Sequence, residues 1–229
     1  MRPLWLELVI GRNRVTLKVN EIYFSIQGES SYASRPCVFV RLTGCNLRCS
    51  YCDTQYAYEE GEELEIAGII KQISSYQCPL VEVTGGEPLI QEETPVLICR
   101  LLEEGYEVLM ETNGSQDISL VDDRCVKIVD IKCPSSGQAS HNDLGNLERL
   151  TDHDEVKFVI ADRGDYEYAK QIVNLVNPNH LRENPVHFSP VFGKMEPKTL
   201  AEWILKDHLD VRLHLQLHKV IWDSDQRGT

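Results

Sequence analysis

Three cysteines, Cys45, Cys49 and Cys52, stand at C-x3-C-x2-C spacing inside residues 41–54, RLTGCNLRCSYCDT. Thiolates are soft ligands that suit iron–sulfur clusters or zinc. Three is one short of the four ligands that close a structural zinc site, and a disulfide framework needs an even count. Two chemistries remain. One is a zinc ion completed by a distant residue, with Cys37, Cys78 and His141 as candidates. The other is a four-iron, four-sulfur cube held by three thiolates, with one iron left open to a further ligand. Zinc sites usually come as two C-x2-C pairs or as C-x2-C with a His pair, and the chain has no second pair, which favours the cube. A second element, Thr84-Gly85-Gly86-Glu87-Pro88, places glycines where a backbone can approach a ligand closely. Taken alone it is also an ordinary turn.

These residues need a scaffold to hold them. The 229 residues are 42% apolar, enough for one substantial domain with a buried core. Lys plus Arg number 23 against 36 Asp plus Glu, a net charge of −13. That balance argues against nucleic-acid or anionic-membrane footprints and points to a small-molecule partner. No apolar run has the length of a membrane span, and the N-terminal apolar patch breaks at Gly11 and Arg12 too early for a signal peptide. A cytoplasmic location is expected, where clustered cysteines mean metal or catalysis rather than disulfides.

Short β-branched runs predict strands at residues 38–43, 80–83, 107–111, 126–131, 156–160, 186–189 and 211–217. The stripe Ile66, Ile69, Ile70 and Ile73 predicts a helix, Thr94-Pro95 opens another that Gly105 stops, and two more span about 165–176 and 198–207. Strand alternating with helix implies a mostly parallel sheet. Residues 114–124 and 134–152 lack a good helix. The expected fold is therefore α/β, one domain over residues 1–229, a partial (β/α) barrel of about six mostly parallel strands with reduced helices. Residues 1–20 are expected as a peripheral extension, a short strand or hairpin. The cysteine loop and the GGEP turn then follow successive strands, at the C-terminal ends where such sheets carry their chemistry.

The cysteine spacing, with Tyr51 just before the last cysteine, and the GGE after the next strand resemble the radical S-adenosylmethionine superfamily. EIYFSIQGE (residues 21–29), Asp53-Thr54, ETNG (111–114), DIKCPSSG (130–137) and QLHKVIW (216–222) narrow the resemblance to the 7-carboxy-7-deazaguanine synthase family, on the route to queuosine and other deazapurines. The resemblance implies a radical S-adenosylmethionine fold and conversion of 6-carboxy-5,6,7,8-tetrahydropterin into 7-carboxy-7-deazaguanine. In that reaction a radical made by reductive cleavage of S-adenosylmethionine takes hydrogen from C6, the ring contracts, hydrogen returns, and ammonia leaves.

The implied cofactors are a 4Fe-4S cluster on Cys45, Cys49 and Cys52, S-adenosylmethionine on the open iron, and Mg²⁺ at Thr54. Ile26, Gln27 and Gly28 match the substrate segment. Gln27 is suited to a pterin amide edge and Glu29 to its amino group, Arg41 to the substrate carboxylate, and Thr84 to a substrate contact. Tyr51, Cys52, Asp53, Gly86 and Glu87 match cofactor contacts, as do Asp130, Ile131 and Lys132, although only the lysine of the usual Ser-Pro-Lys is kept. A flavodoxin or ferredoxin donor and a homodimer are further implications. Many members reach the substrate with their C-terminal end; whether Gln216, His218 or the tail does so here is left open. Cys78, Cys99 and Cys125 read as buried hydrophobes, Cys37 as preceding the first strand, and Cys133 as close to the pocket. The competing readings are a glycyl-radical activase and a non-catalytic zinc module.

Overall fold

Strand and helix alternate along the chain because β-branched runs bounded by Gly, Pro and polar residues favour extended backbone, while the amphipathic stretches between them each bury one stripe. A computed structural model describes residues 15–175, 184–223 and 226–228. Among these, nine strands form one sheet: β1 (Thr16–Ile26), β2 (Pro36–Leu42), β3 (Glu62–Glu65), β4 (Leu80–Gly85), β5 (Glu107–Thr112), β6 (Val126–Asp130), β7 (Glu155–Ile160), β8 (Val186–Pro190) and β9 (Arg212–Leu213). Their order is β3-β1-β2-β4-β5-β6-β7-β8-β9, an open sheet with β3 and β9 at its edges. From β2 onward the pairing is parallel, while β1 runs antiparallel to both β2 and β3.

Helices α1 (Ile66–Ser75), α2 (Thr94–Glu103), α3 (Arg163–Leu175) and α4 (Pro197–Lys206) supply crossovers, and a single turn, α5 (His218–Ile221), closes the chain's path. In α1 the expected isoleucine stripe is buried, a contribution of roughly 1.5–3 kcal/mol per side chain. The Asp162 carboxylate accepts from the Asp165 N–H at 3.0 Å and caps α3. Val176, expected to end that helix, lies outside the described residues. Residues 114–124 and 134–152 carry only short 3-10 turns, as their lack of helical periodicity foretold.

Three expectations are corrected. Residues 16–20 are no peripheral extension: they begin an eleven-residue strand inside the sheet, and residues 1–14 lie outside the described residues. Cys37 does not precede the first parallel strand but sits within β2, fully buried. The alternating stretch 211–217 pairs only at Arg212 and Leu213. Beyond them, the Leu217 N–H donates to Gly28 O at 3.0 Å, so the chain leaves the sheet to dock on the β1–β2 loop.

Successive strand residues point to opposite faces. Val38, Val40, Leu42, Val81 and Val83 join the buried residues of α1 and α2 in one apolar core. The alternate positions, Phe39, Arg41, Glu82, Thr84, Glu111, Asp130 and Lys157, line a cavity on the other face.

Candidate functional site

The cavity, about 730 Å³, lies at the C-terminal ends of the parallel strands. Cys45, Cys49 and Cys52 line it and are part-exposed, whereas the other five cysteines are buried. Their loop is gripped by the turn after β4. The Glu87 N–H donates to Gly44 O at 2.8 Å, and the Gly86 N–H to Leu42 O at 3.3 Å. A Cβ on Gly86 would fall 2.1 Å from Gly44 O and 2.6 Å from Cys45 Cβ; one on Gly85 would fall 2.4 Å from Leu42 O. The close approach that these glycines permit is therefore to the cysteine loop itself.

Glu87 is fully buried and outside the cavity lining. It accepts from Leu89 N (3.0 Å), Thr112 Oγ1 (2.8 Å) and Asn113 N (2.6 Å). Burial pushes its carboxyl up against those three bonds. Asn113, so fixed, donates through Nδ2 to Asn46 Oδ1 at 3.0 Å and to Cys45 Sγ at 3.8 Å, and the Leu47 N–H meets the same sulfur at 3.4 Å. The GGE and ETNG elements thus hold the first cysteine together.

N–H donors aimed at a cysteine sulfur fit a metal-bound thiolate. Burial pushes the Cys45 and Cys49 thiols up, so an electropositive group must stabilise the thiolate. A single zinc ion fits poorly, since it would need every sulfur within about 2.3 Å. Among the described residues no three His, Cys, Asp or Glu converge in that way. The proposed fourth ligands are also spent or distant. Cys37 Sγ faces Val38 O, Cys78 Sγ faces Pro36 O and Leu80 O, and His141 is exposed. A cube distributes its thiolates over separate corners, and three cysteines around one cavity suit it.

Beside the cysteines, Lys132 Nζ pairs with Asp130 Oδ2 at 2.7 Å, and both line the cavity while Asp130 Oδ1 is buried without a partner. Ile131, between them, is fully buried in the core. Its placement follows from alternation; its backbone N–H donates to Lys157 O at 2.9 Å, and its carbonyl faces Cys133 Sγ at 4.0 Å. Tyr51 lines the cavity with its hydroxyl 3.4 Å from Val159 O. Thr54 Oγ1 donates to Asp53 Oδ1 at 2.9 Å, and Asp53 Oδ2 meets Lys219 Nζ at 2.5 Å. Burial would raise the Asp53 carboxyl, but Lys219 and the Thr54 hydroxyl hold it below the ordinary range.

On the far side, Arg41 Nε pairs with Glu21 Oε1 at 2.8 Å and its Nη2 donates to Tyr23 at 2.9 Å. The guanidinium lies 5.9 Å from the ring centres of both Tyr23 and Tyr56. Ile26, Gly28, Glu29 and Thr84 line the cavity. Gln27 spends both ends of its amide within the chain: Nε2 donates to Glu82 and Oε1 accepts from the Glu29 N–H at 3.0 Å. Lys157 bridges Glu29 and, at 2.7 Å, Glu111. Burial would raise Glu29, yet Lys157 holds it well below the usual carboxylate range.

The two ends of the sequence motif set touch here. Gln216 Nε2 donates to Glu29 Oε1 at 2.8 Å, and His218 packs where a Gly28 side chain would be, 2.5 Å from an ideal Cβ. Gln216, His218, Lys219 and residues 226–228 all line the cavity, with Arg227 3.9 Å above the Tyr56 ring. Gly28→Ala is expected to lift this segment away and lower kcat/KM on the order of 10²-fold. Steady-state kinetics showing an unchanged value would remove the contact from the site.

Sequence reading missed Glu82, Glu111, Lys157 and Asn113. The signal for Glu82 and Lys157 was present: a charge in the middle of an apolar parallel strand, as in LVEV and EVKFV, has no ordinary place in a sheet covered on both faces. Glu82 is only 4% exposed, and burial with the nearby Glu111 raises its carboxyl from 4.5 to about 8. Between those two pH values the unfolded chain binds fewer protons than the folded one, so this residue's contribution to stability falls as pH rises. Glu82→Gln should raise Tm by an amount that grows from pH 4.5 to about 8 and then levels. A Tm difference that is flat with pH would contradict the assignment.

A family model described as the Radical SAM superfamily matches residues 39–134. The chain is 45% identical to a 7-carboxy-7-deazaguanine synthase of Koribacter versatilis (strain Ellin345), over 93% of this chain and 100% of that protein. It is 46% identical to one of Chlorobaculum tepidum, over 93% and 97%. The crystal structure of QueE from Escherichia coli shares the fold, with a TM-score of 0.73 at 20% identity over 88% of this chain and 94% of that one. Such end-to-end likeness sets aside the activase and zinc-module readings. It joins the cysteine loop, the GGE turn and the docked N- and C-terminal motifs in one assignment: the chain belongs to the 7-carboxy-7-deazaguanine synthase family of radical S-adenosylmethionine enzymes.

Proposed function

We propose that this chain converts 6-carboxy-5,6,7,8-tetrahydropterin into 7-carboxy-7-deazaguanine with release of ammonia. The observation that carries the reading is the union, in one cavity, of three part-exposed cysteines with a floor of buried charged residues too polar for an apolar ligand. A four-iron cluster on Cys45, Cys49 and Cys52, with S-adenosylmethionine, supplies one-electron radical chemistry. Arg41 holds the substrate carboxylate. Glu21 and Tyr23 occupy two of its five N–H donors and fix the fork, which leaves the others for a ligand. Tyr51, Asp130 and Lys132 flank the cysteine side of the cavity, where S-adenosylmethionine must lie. Residues 226–228, with Gln216 and His218, line the cavity, and their proposed role is to exclude water from the reacting centre.

Thr54 is the proposed Mg²⁺ contact. Mg²⁺ keeps several waters and accepts sparse protein ligation when substrate oxygens complete the shell, and the ionised Asp53 beside Thr54 favours a cation there. Thr54→Ala should therefore chiefly blunt the stimulation of turnover by Mg²⁺. A stimulation equal to that of the unaltered protein would remove Thr54 from the site. The proposal extends to a flavodoxin or ferredoxin donor and a cytoplasmic homodimer. Among the described residues no helix is long and apolar enough to cross a membrane.

The test is anaerobic turnover of the carboxytetrahydropterin by the reduced, cluster-loaded protein with S-adenosylmethionine. The deazaguanine acid and ammonia are expected in equal amounts. A protein carrying its cluster that forms neither would defeat the reading.

A further inference from the structure

Five carboxylates line the cavity: Glu29, Asp53, Glu82, Glu111 and Asp130. Four lie against a cation, Glu29 and Glu111 on Lys157, Asp53 on Lys219 and Asp130 on Lys132. Glu82 has none within ion-pair distance among the described residues. Its one hydrogen-bond partner there is Gln27, whose Nε2 binds Oε2 and leaves Oε1 to a ligand. Gln27 is itself pinned, because its Oε1 accepts from the Glu29 N–H. The carboxyl group is thus oriented by an amide that cannot turn away, and is desolvated with no cation at ion-pair distance among the described residues. An arrangement of this kind costs stability unless a ligand brings N–H donors to it.

We infer that Glu82 is the specificity residue for the heterocycle, receiving the adjacent ring N–H and exocyclic 2-amino N–H of a 2-amino-4-oxo pyrimidine ring. Two parallel donors match the two-oxygen edge of a carboxylate, as a guanidinium does. The register fits this pose. Arg41 pairs with Thr84 across β2 and β4, and Phe39 with Glu82, so Glu82 lies one inward-facing layer deeper than the carboxylate-holding arginine. That step is about 6.6 Å along the strands, on the scale of a fused two-ring system with its acid group at Arg41 and its amino edge at Glu82. Phe39 and Tyr23, stacked with ring centres 5.0 Å apart, line the same depth of the cavity beside it. The inference deepens the proposed reading and rests on it.

Two ligands separate the possibilities: 7-carboxy-7-deazaguanine, and its analogue lacking only the 2-amino group. Binding is measured anaerobically above pH 8, where the Glu82 carboxyl is ionised, by calorimetry on the cluster-loaded protein with S-adenosylmethionine. The unaltered chain should prefer the amino compound by about 10- to 100-fold. In Glu82→Gln, whose side chain turns an N–H toward the ligand's donors, that preference should fall to within about threefold, with iron content and S-adenosylmethionine affinity unchanged. Glu82→Asp, which keeps the charge one methylene further away, should weaken binding but keep the preference, and it is the charge-retaining control. A preference that survives in Glu82→Gln, or is lost in a well-folded Glu82→Asp, overturns the role of Glu82. An unaltered chain that binds neither ligand overturns instead the deazaguanine reading on which it rests.

Discussion

Replacement of Cys45, Cys49 or Cys52 by alanine, one at a time, is expected to reduce iron from about four per chain to near zero and turnover to below detection. A cube held by three thiolates has no spare protein ligand, and each of the three cysteines faces the cavity while the others are buried. The informative control is Cys37→Ala. Its sulfur lies in the core beside Val38 O, so the variant should lose only about 1 kcal/mol of stability and keep its cluster. Iron analysis and electron paramagnetic resonance of the reconstituted, reduced variants make the measurement. Full iron retention in any of the three loop variants would break the assignment, and so would cluster loss in Cys37→Ala.

The second large effect is expected at Lys157. Its ammonium, 7% exposed, is the shared counter-ion of Glu29 and Glu111. Burial works against its charge, yet the two glutamates raise its pKa well above the ordinary lysine value. Lys157→Met leaves two carboxylates of the cavity floor without a partner, a change that costs about 3–5 kcal/mol and lowers Tm by roughly 6–20 °C. The deficit should shrink as pH falls, because protonation of Glu29 and Glu111 removes the uncompensated charge. The double variant Lys157→Met with Glu111→Gln should recover part of it. Urea titration of the three proteins at two pH values tests the argument. A loss under about 1 kcal/mol, or no recovery in the double variant, would mean that the pairing contributes little.

Much of this protein is legible along the chain, and the reason is locality. The C-x3-C-x2-C loop and the GGE turn lie within a few residues of the strands that carry them, so spacing alone conveys their chemistry. The parallel strands and the four principal helices follow from periodicity that each segment carries by itself. The missing crossover helices at residues 114–124 and 134–152 are equally readable, since no apolar stripe exists there to bury.

What the tertiary structure decided concerns contacts between distant residues. Which of eight cysteines meet a common cavity depends on strand pairing, and so does the burial of Glu87 and Ile131 beneath the lining they were expected to join. The glycines of residues 85–86 are explained only once the cysteine loop is seen packed against them, and Gly28 only once His218 is. Most of all, the pairing of Lys157 with two glutamates, and the lack of any such cation for Glu82 among the described residues, are sums over three strands and a loop. The sequence by itself determined which atoms could do chemistry and in what order they lie. Only the fold decided which charges balance, because electrostatic compensation depends on through-space distance, which the order of residues along a chain does not contain.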